Sequence, residues 1–461
     1  MRASFPMIAR WRRALALGVA GLLAAVSGAP VGAQAPAPLS VPYRMFTLEN
    51  GLTVILHRDT SVPVVSVNVW YRVGSANEKP GRTGFAHLFE HLMFEGSKHV
   101  KDGEFDGLLE ASGGSNNGTT DNDRTNYYED VPSNALELAL FLESDRMAYL
   151  LDTMTPERVN GQRDVVKNEK RQQVDNQPYG KASEEIDKLL YPPTHPYSWQ
   201  VIGSMDDLSA ARYEDVVEFF KRYYAPGNAS LVVAGDIDLD KAQALVTKWF
   251  AEVPKGAPVE PLTVPQPALT EVKRKTITDK VQLPRLYLAW LSPKELTADA
   301  AALTVAADVL SGGKGARLDR RLVHDTQMVQ EIGAYQGGQA LSGAFQILAT
   351  ARPGKSLSDI QKAIDEELDR LRTTPPTAAE VERAVNGIEA SFYRAMERVG
   401  SYRGKALQLN HYYNATGEPD YFAKDLARYK AVTPAAVQAA IVKYLPKDKR
   451  VEFIVEPEGG R

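Results

Sequence analysis

The stretch VPKGAPVEPLTVPQPALT, residues 253–270, holds five prolines in eighteen residues. Proline fixes φ and lacks a backbone N–H, so such a run favours an extended, semi-rigid connector over a helix or a strand. It divides a 461-residue chain, too long for one ordinary core, into two parts of roughly 200 residues each. Before it, FTLENGLTVILHR reads as a β-hairpin with Asn50-Gly51 between two alternating runs. VPVVSVNVWYRVGS reads as a strand, residues 84–97 as a helix and TNYYEDVP as another strand, and residues 133–152 have helical periodicity with Ser133 as N-cap. A long helix is expected from Thr155 as N-cap and Pro156 at the first helical position, where proline is tolerated. NASLVVAGDIDLDKAQALVTKWF then gives a buried strand, a turn and an amphipathic helix. After the proline run the order restarts. VQLPRLYLAWLSP reads as a strand, TADAAALTVAADVLSGG as a helix and EIGAYQGGQALSGAFQILATARPG as a strand pair, followed by two helical segments and a final strand KRVEFIVEP. The expected fold is α+β, with two related domains, residues 40–252 and 271–461, each a mostly antiparallel sheet packed with helices and joined by the linker 253–270.

Hydrophobic content of 44% and charged content of 24% exclude a disordered or fibrous chain. The N-terminus MRASFPMIARWRR carries four arginines and no acid, and leads into the apolar run ALALGVAGLLAAVSGA and the small residues VGAQA. This is the pattern of a secretory signal peptide, residues 1–33, and predicts a periplasmic or secreted protein with no stable membrane span once it is cleaved. Its removal takes the net charge from −4 to −8. With no lysine and arginine cluster to track phosphates, nucleic-acid binding is disfavoured. The chain has no cysteine, which excludes disulfides, thiolate nucleophiles and thiolate metal sites. A metal would have to be held by His, Asp or Glu.

Seven histidines occur in the chain, and two of them fall in GFAHLFEHLMFEGS, residues 84–97. On a helix that advances about 100° per residue, His87, Glu90 and His91 share one face. Two imidazoles can grip one zinc ion, which needs a third protein ligand if one position is to stay open for water. Glu90 is then placed to act as the general base on that water.

The H-x-x-E-H string resembles the inverted zinc motif of the pitrilysin, insulysin and mitochondrial processing peptidase family. The resemblance extends over nearly the whole chain after residue 40, through GGSNNGTTDNDRTNYYEDVP and HPYSWQVIGSMDDL. It implies that the third zinc ligand is Glu169, in RDVVKNEKRQQ, seventy-eight residues after His91. It also implies that Asn117 and Gly118 lie on an edge strand that pairs with the backbone of a peptide substrate. One zinc per chain and hydrolysis of peptides or unfolded segments are the expected cofactor and activity.

Two positions depart from the family pattern. Gln162 stands where a second glutamate is frequent. In LVHDTQMVQEIGAY, Val323 and Gln330 stand where self-sufficient members carry an arginine and a tyrosine that hold the substrate. The two-subunit branch of the family divides these parts between chains, so the resemblance implies a heterodimer with a related subunit supplying the Arg/Tyr pair. Arg320, Arg321 and Tyr335 are the candidates for compensation within this chain. A non-catalytic binding or scaffolding subunit is the rival reading, countered by the intact His87, Glu90, His91 and Glu169 set. A metal-storing protein would be expected to close its shell with a fourth ligand, and none is evident.

Overall fold

A computed structural model describes residues 39–459; the segment read as a signal peptide, residues 1–33, lies outside them. Ser40–Arg461 forms one compact unit. Its first sheet comprises β1 (Arg44–Thr47), β2 (Thr53–Arg58), β3 (Val64–Tyr71), β4 (Ser115–Thr120), β5 (Thr125–Pro132) and β6 (Ala229–Gly235), in the order β1-β2-β6-β3-β5-β4. The second comprises β7 (Lys273–Asp279), β8 (Arg285–Ser292), β9 (Val329–Gly338), β10 (Gly343–Ala351) and β11 (Val451–Pro457), in the order β7-β11-β8-β10-β9. Apart from β1 the two orders correspond strand for strand. Even the single parallel pair of each sheet recurs, β2 with β6 and β7 with β11. The chain is thus α+β with two related sheets, and residues 254–270 between them form neither helix nor strand.

Eight helices belong to the first half: α1 (Phe85–Leu92), α2 (Glu104–Ala111), α3 (Leu136–Tyr149), α4 (Pro156–Lys170), α5 (Ala182–Leu190), α6 (Met205–Ala210), α7 (Tyr213–Tyr223) and α8 (Leu239–Phe250). Six belong to the second: α9 (Ala298–Ser311), α10 (Leu357–Thr373), α11 (Ala378–Met396), α12 (Lys405–Thr416), α13 (Phe422–Lys430) and α14 (Pro434–Tyr444). Five helices therefore lie between the strand pair β9–β10 and the last strand, where two helical segments were expected. Ser356, Thr377 and Thr433 cap the starts of α10, α11 and α14, each accepting a backbone N–H. Thr155 caps α4 in the same way, accepting from Arg158 N. Ser133 does not cap α3. It sits in a 3-10 turn ahead of the helix and donates to Asp236 Oδ2 at 3.2 Å.

Each sheet has its own apolar core, yet each half lends a helix to the other. The helix α12, from the second half, lies on β2, β3 and β6 of the first sheet. There the wholly buried Asn410 donates to Asn68 Oδ1 at 2.8 Å and accepts from Ser230 Oγ at 2.6 Å. In return, α5 from the first half puts Ala182, Ile186 and Leu190 against Tyr287, Ala289, Phe453 and Val455 of the second sheet. The same correspondence of strand order explains the exchange, since α5 and α12 occupy equivalent places in their halves, each following the long helix α4 or α11.

Candidate metal centre

The helix α1 is only eight residues long and is marginal by itself; its position is set from outside. Glu78 is buried and accepts from Gly84 N at 2.9 Å and Ala86 N at 2.8 Å, satisfying donors of the first turn. Burial pushes the Glu78 carboxyl up to about 8, against those two donors. Thr83 donates to Asp207 Oδ2 through both N and Oγ1 and accepts from Ser204 N. Gly84 has φ 91° and packs on Gly203, whose φ is 76°; a Cβ on Gly203 would lie 2.5 Å from Gly84 Cα. The HPYSWQVIGSMDDL segment thus serves as the seat for the start of α1. At the other end, Arg158 of α4 donates to Glu95 O at 2.6 Å and Thr153 to Gly96 O at 3.3 Å. Beneath the helix, Tyr127 donates to Phe89 O at 3.2 Å. The buried Arg146 guanidinium rests on Phe94, Phe105 and Tyr127 and pairs with Glu129 and Glu143.

On this anchored helix His87 and His91 project toward α4 and meet Glu169. One ligand atom from each of the three lies within 4.8 Å of the others. Glu169 Oε2 is 3.5 Å from His87 Nε2 and 3.3 Å from His91 Nε2. The side chains are 12%, 25% and 34% exposed for His87, His91 and Glu169, so the site is recessed but reachable. Burial, reinforced by the neighbouring His91, lowers the His87 pKa to about 4, which leaves a neutral imidazole with its lone pair at neutral pH. The neighbouring His91 is the main cause that holds Glu169 below the usual carboxylate range. Two buried atoms in the cluster, His87 Nδ1 and Glu169 Oε2, have no hydrogen-bond partner. Convergent imidazole nitrogens, a carboxylate and a carboxylate oxygen without a partner are the donor set and the unmet demand of a divalent cation site of nitrogen and oxygen ligands.

Glu90 stands on the same face but outside the triad. Burial raises its pKa, opposed by a hydrogen bond from Thr120 on β4. Gly118 of the same strand backs onto it, and a Cβ there would lie 2.9 Å from Glu90 Cγ. Asn117 lies on the opposite face of β4, its Oδ1 accepting from Gly118 N at 2.8 Å and its side chain beside the Tyr128 hydroxyl. The strand β4 is the outer edge of the first sheet. Gln162 is about two turns further up α4 and donates to Glu95, not to a member of the triad. Thr120, Glu78 and Gly203 were not singled out by sequence. Only the motif HPYSWQVIGSMDDL pointed to the last of them, and it gave no physical reason.

The three residues considered as internal substitutes for the missing Arg/Tyr pair are otherwise engaged. Arg321 pairs with Glu366 of α10 and Arg320 faces Asp325 at 3.8 Å, while the Tyr335 hydroxyl donates to Gln346 Oε1 at 2.5 Å. Val323 packs on the core of the second half and Gln330 is exposed on β9.

Two α+β halves of one strand order, with, among the described residues, a His-His-Glu cluster on the first alone, define a protein of metallopeptidase type. The chain belongs to the insulinase family, peptidase family M16, whose description matches residues 53–191; residues 210–388 match the peptidase M16 inactive domain. It is 30% identical over 398 residues to the zinc protease PqqE of Helicobacter pylori, covering 84% of this chain and 87% of that protein. It is 25% identical to a probable mitochondrial-processing peptidase subunit beta of Arabidopsis thaliana, over 88% of this chain and 77% of that one. The crystal structure of a protease from Helicobacter pylori superposes with a TM-score of 0.84 at 25% identity, covering 91% of this chain and all of the other.

Proposed function

We propose that this chain is the zinc-bearing subunit of a metalloendopeptidase that hydrolyses peptides or unfolded segments. The observation that carries the reading is the convergence of His87, His91 and Glu169 from two helices with Glu90 beside them but outside the triad. The triad would hold one zinc ion, which when bound supplies Lewis-acid activation of a water and of the scissile carbonyl. Glu90 takes the proton and passes it to the leaving amine. Its burial, which raises its pKa, favours that role. An extended peptide would add a strand beside β4, with Asn117 and Gly118 at its centre. Backbone pairing of this kind accepts many sequences, and side-chain pockets set preference. The absence of the Arg/Tyr pair at Val323 and Gln330 supports a heterodimer in which a related chain supplies both and closes the chamber; the subunit name of one relative is in keeping with this. We place the protein in the periplasm or outside the cell, with residues 40–252 and 271–461 as its two domains.

The test is metal analysis and peptide cleavage on the chain lacking residues 1–33. It should carry one zinc, and His91→Ala should carry none. Glu90→Gln should keep the metal and lose about 100-fold or more in turnover, since the amide is nearly isosteric but accepts no proton. Undiminished zinc in His91→Ala would refute the site, and near-normal turnover in Glu90→Gln would put the base elsewhere. Alone the chain should cleave poorly and regain activity with its partner; full activity from a demonstrated monomer would remove the heterodimer while leaving the zinc assignment standing.

A further inference from the structure

The two sides of the metal centre are held by different parts of the molecule. His87 and His91 stand on α1, whose anchors Glu78, Thr83 and Arg158 all belong to the first half. Glu169 stands near the end of α4, and the ties of that helix change direction there. Arg163 donates to Ala211 O at 2.8 Å and Lys167 to Ser209 Oγ at 2.9 Å, both in the body of the first half. Just past Glu169, the buried Lys170 pairs at 3.3 Å with Glu184 of α5, the helix lent to the second sheet. The backbone then leaves the α-helix through a π turn, Arg171–Asp175, in which Asn176 N donates to Arg171 O at 2.8 Å.

Shortly after that turn comes Tyr179, with φ 63°, a left-handed conformation that L side chains rarely adopt. A residue in such a conformation persists where its surroundings over-determine it, and here those surroundings belong to the second half. Tyr179 N donates to Asp279 Oδ2 at 2.9 Å, and its hydroxyl donates to Leu283 O at 2.8 Å. The Arg285 guanidinium lies over its ring, 3.7 Å from the centroid. That guanidinium is itself fixed in the second sheet. It donates to Thr350 Oγ1 and Glu331 Oε2, each at 2.8 Å, and to the Tyr287 hydroxyl at 3.3 Å. A glycine would take the left-handed turn without strain, so what the tyrosine adds is its grip on the second sheet.

With His87, His91 and Glu169 read as the zinc ligands, we propose that Tyr179 is a positioning residue for the third of them. Clamped on Arg285, it fixes the end of α4 and with it the place of Glu169, so that the second half of the chain sets how tightly the metal is held. Glu169, the most exposed of the three side chains, is the ligand whose place depends on this distant support. The two histidines keep theirs without it.

Zinc affinity, measured by competition with a chromophoric chelator on the chain lacking residues 1–33, tests it. Tyr179→Gly keeps the left-handed backbone without strain and removes only the side chain; it should weaken zinc about tenfold or more, the scale of losing the support of a ligand. Arg285→Ala, a change confined to the second half, should do the same. Tyr179→Phe keeps the ring on Arg285 and should stay within about threefold of wild type, the scale of one hydrogen bond. In cobalt-loaded protein the visible bands of Tyr179→Gly should move toward those of Glu169→Ala, because both imidazoles are untouched. Asn410→Ala, which loosens the other exchanged helix, is the control, and should lower the melting temperature while leaving zinc affinity unchanged. The proposal is overturned by wild-type zinc affinity in Tyr179→Gly or Arg285→Ala, or by a loss in Tyr179→Phe as large as in Tyr179→Gly. An equal loss in Asn410→Ala would also overturn it, because zinc affinity would then follow overall stability. Failure of the wild-type chain to bind zinc would refute the ligand assignment itself, and this role of Tyr179 with it.

Discussion

Gly118 shows how much of the site is decided by a missing methyl group. Its counterpart in space is Glu90 Cγ, 2.9 Å from where a Cβ would stand. Gly118→Ala should therefore displace Glu90 and not the histidines: zinc content unchanged, turnover reduced about tenfold or more. Zinc loss from this variant would contradict the geometry. Gln162 carries a different lesson. Because it donates to Glu95, whose pKa burial already raises, Gln162→Glu would set two carboxylates against each other. We expect it to lower stability by about 1 kcal/mol, and Glu95→Gln in the same chain to restore it; urea unfolding of the single and double variants decides. His87, Glu90 and His91 were legible from spacing alone, since helix geometry makes neighbours of positions three and four apart. Glu169 was reachable only through the family resemblance, because nothing local tells one glutamate in RDVVKNEKRQQ, among lysines and arginines, that it faces another helix. The contact between Gly118 and Glu90 joins a strand to a helix across a sequence gap that no periodicity spans.

At the scale of elements, the short helix α1 depends on its seat. Gly203→Ala touches no proposed ligand, yet it forces a side chain into a left-handed backbone at φ 76° and against Gly84 Cα. The expected cost is about 2 kcal/mol or more, together with a loss of zinc occupancy comparable to that from a ligand variant. A Gly203→Ala protein with full zinc and an unchanged melting temperature would show that the seat is dispensable. Hairpin, strands and the long helix α4 were readable because turn chemistry and caps are local: Asn50-Gly51, Thr155-Pro156. The five helices from α10 to α14 merged into two in the sequence because their breaks are short and helical composition runs through them. The cap expected of Ser133 failed because Asp236, far away in sequence, takes its hydroxyl.

Across the whole molecule, the two halves share strand order and exchange α5 for α12, and they should unfold as one. Asn410→Ala would leave Asn68 Oδ1 without its donor and the Ser230 hydroxyl without its acceptor, at about 1–3 kcal/mol, and thermal unfolding should remain a single transition followed alike by Trp70 and Trp290. Two separated transitions would contradict the exchange. An ion pair within the second half, Glu380 with Arg317, gives a pH dependence. The Glu380 carboxyl is held down to about 2 from the ordinary 4.5, first by its hydrogen bond from Arg317. A depressed folded pKa adds stability that is complete above about 4.5 and is lost as the pH falls toward about 2. Allowing for partial exposure, the contribution is about 1 kcal/mol. Glu380→Gln should be less stable than wild type at neutral pH and converge with it in acid; parallel pH profiles would refute the tie. The existence of two related halves was visible in the sequence through the proline run and the restart of elements after it. Their interlocking was not, because the residues that carry it, Asn410 on one side and Ile186 on the other, read as ordinary helix positions until the opposite sheet is known.

That interlocking also bears on the order in which the chain is made. The face of the first sheet around Asn68 and Ser230 is not covered by α12 until Asn410, well into the second half, has been synthesised. While the chain is emerging from the ribosome, the half that bears the His-His-Glu cluster stays open on that face, and it acquires its final shape only after the second half has been made as far as α12. Closure of the first half is thus postponed by topology, because the helix that covers it belongs to the second.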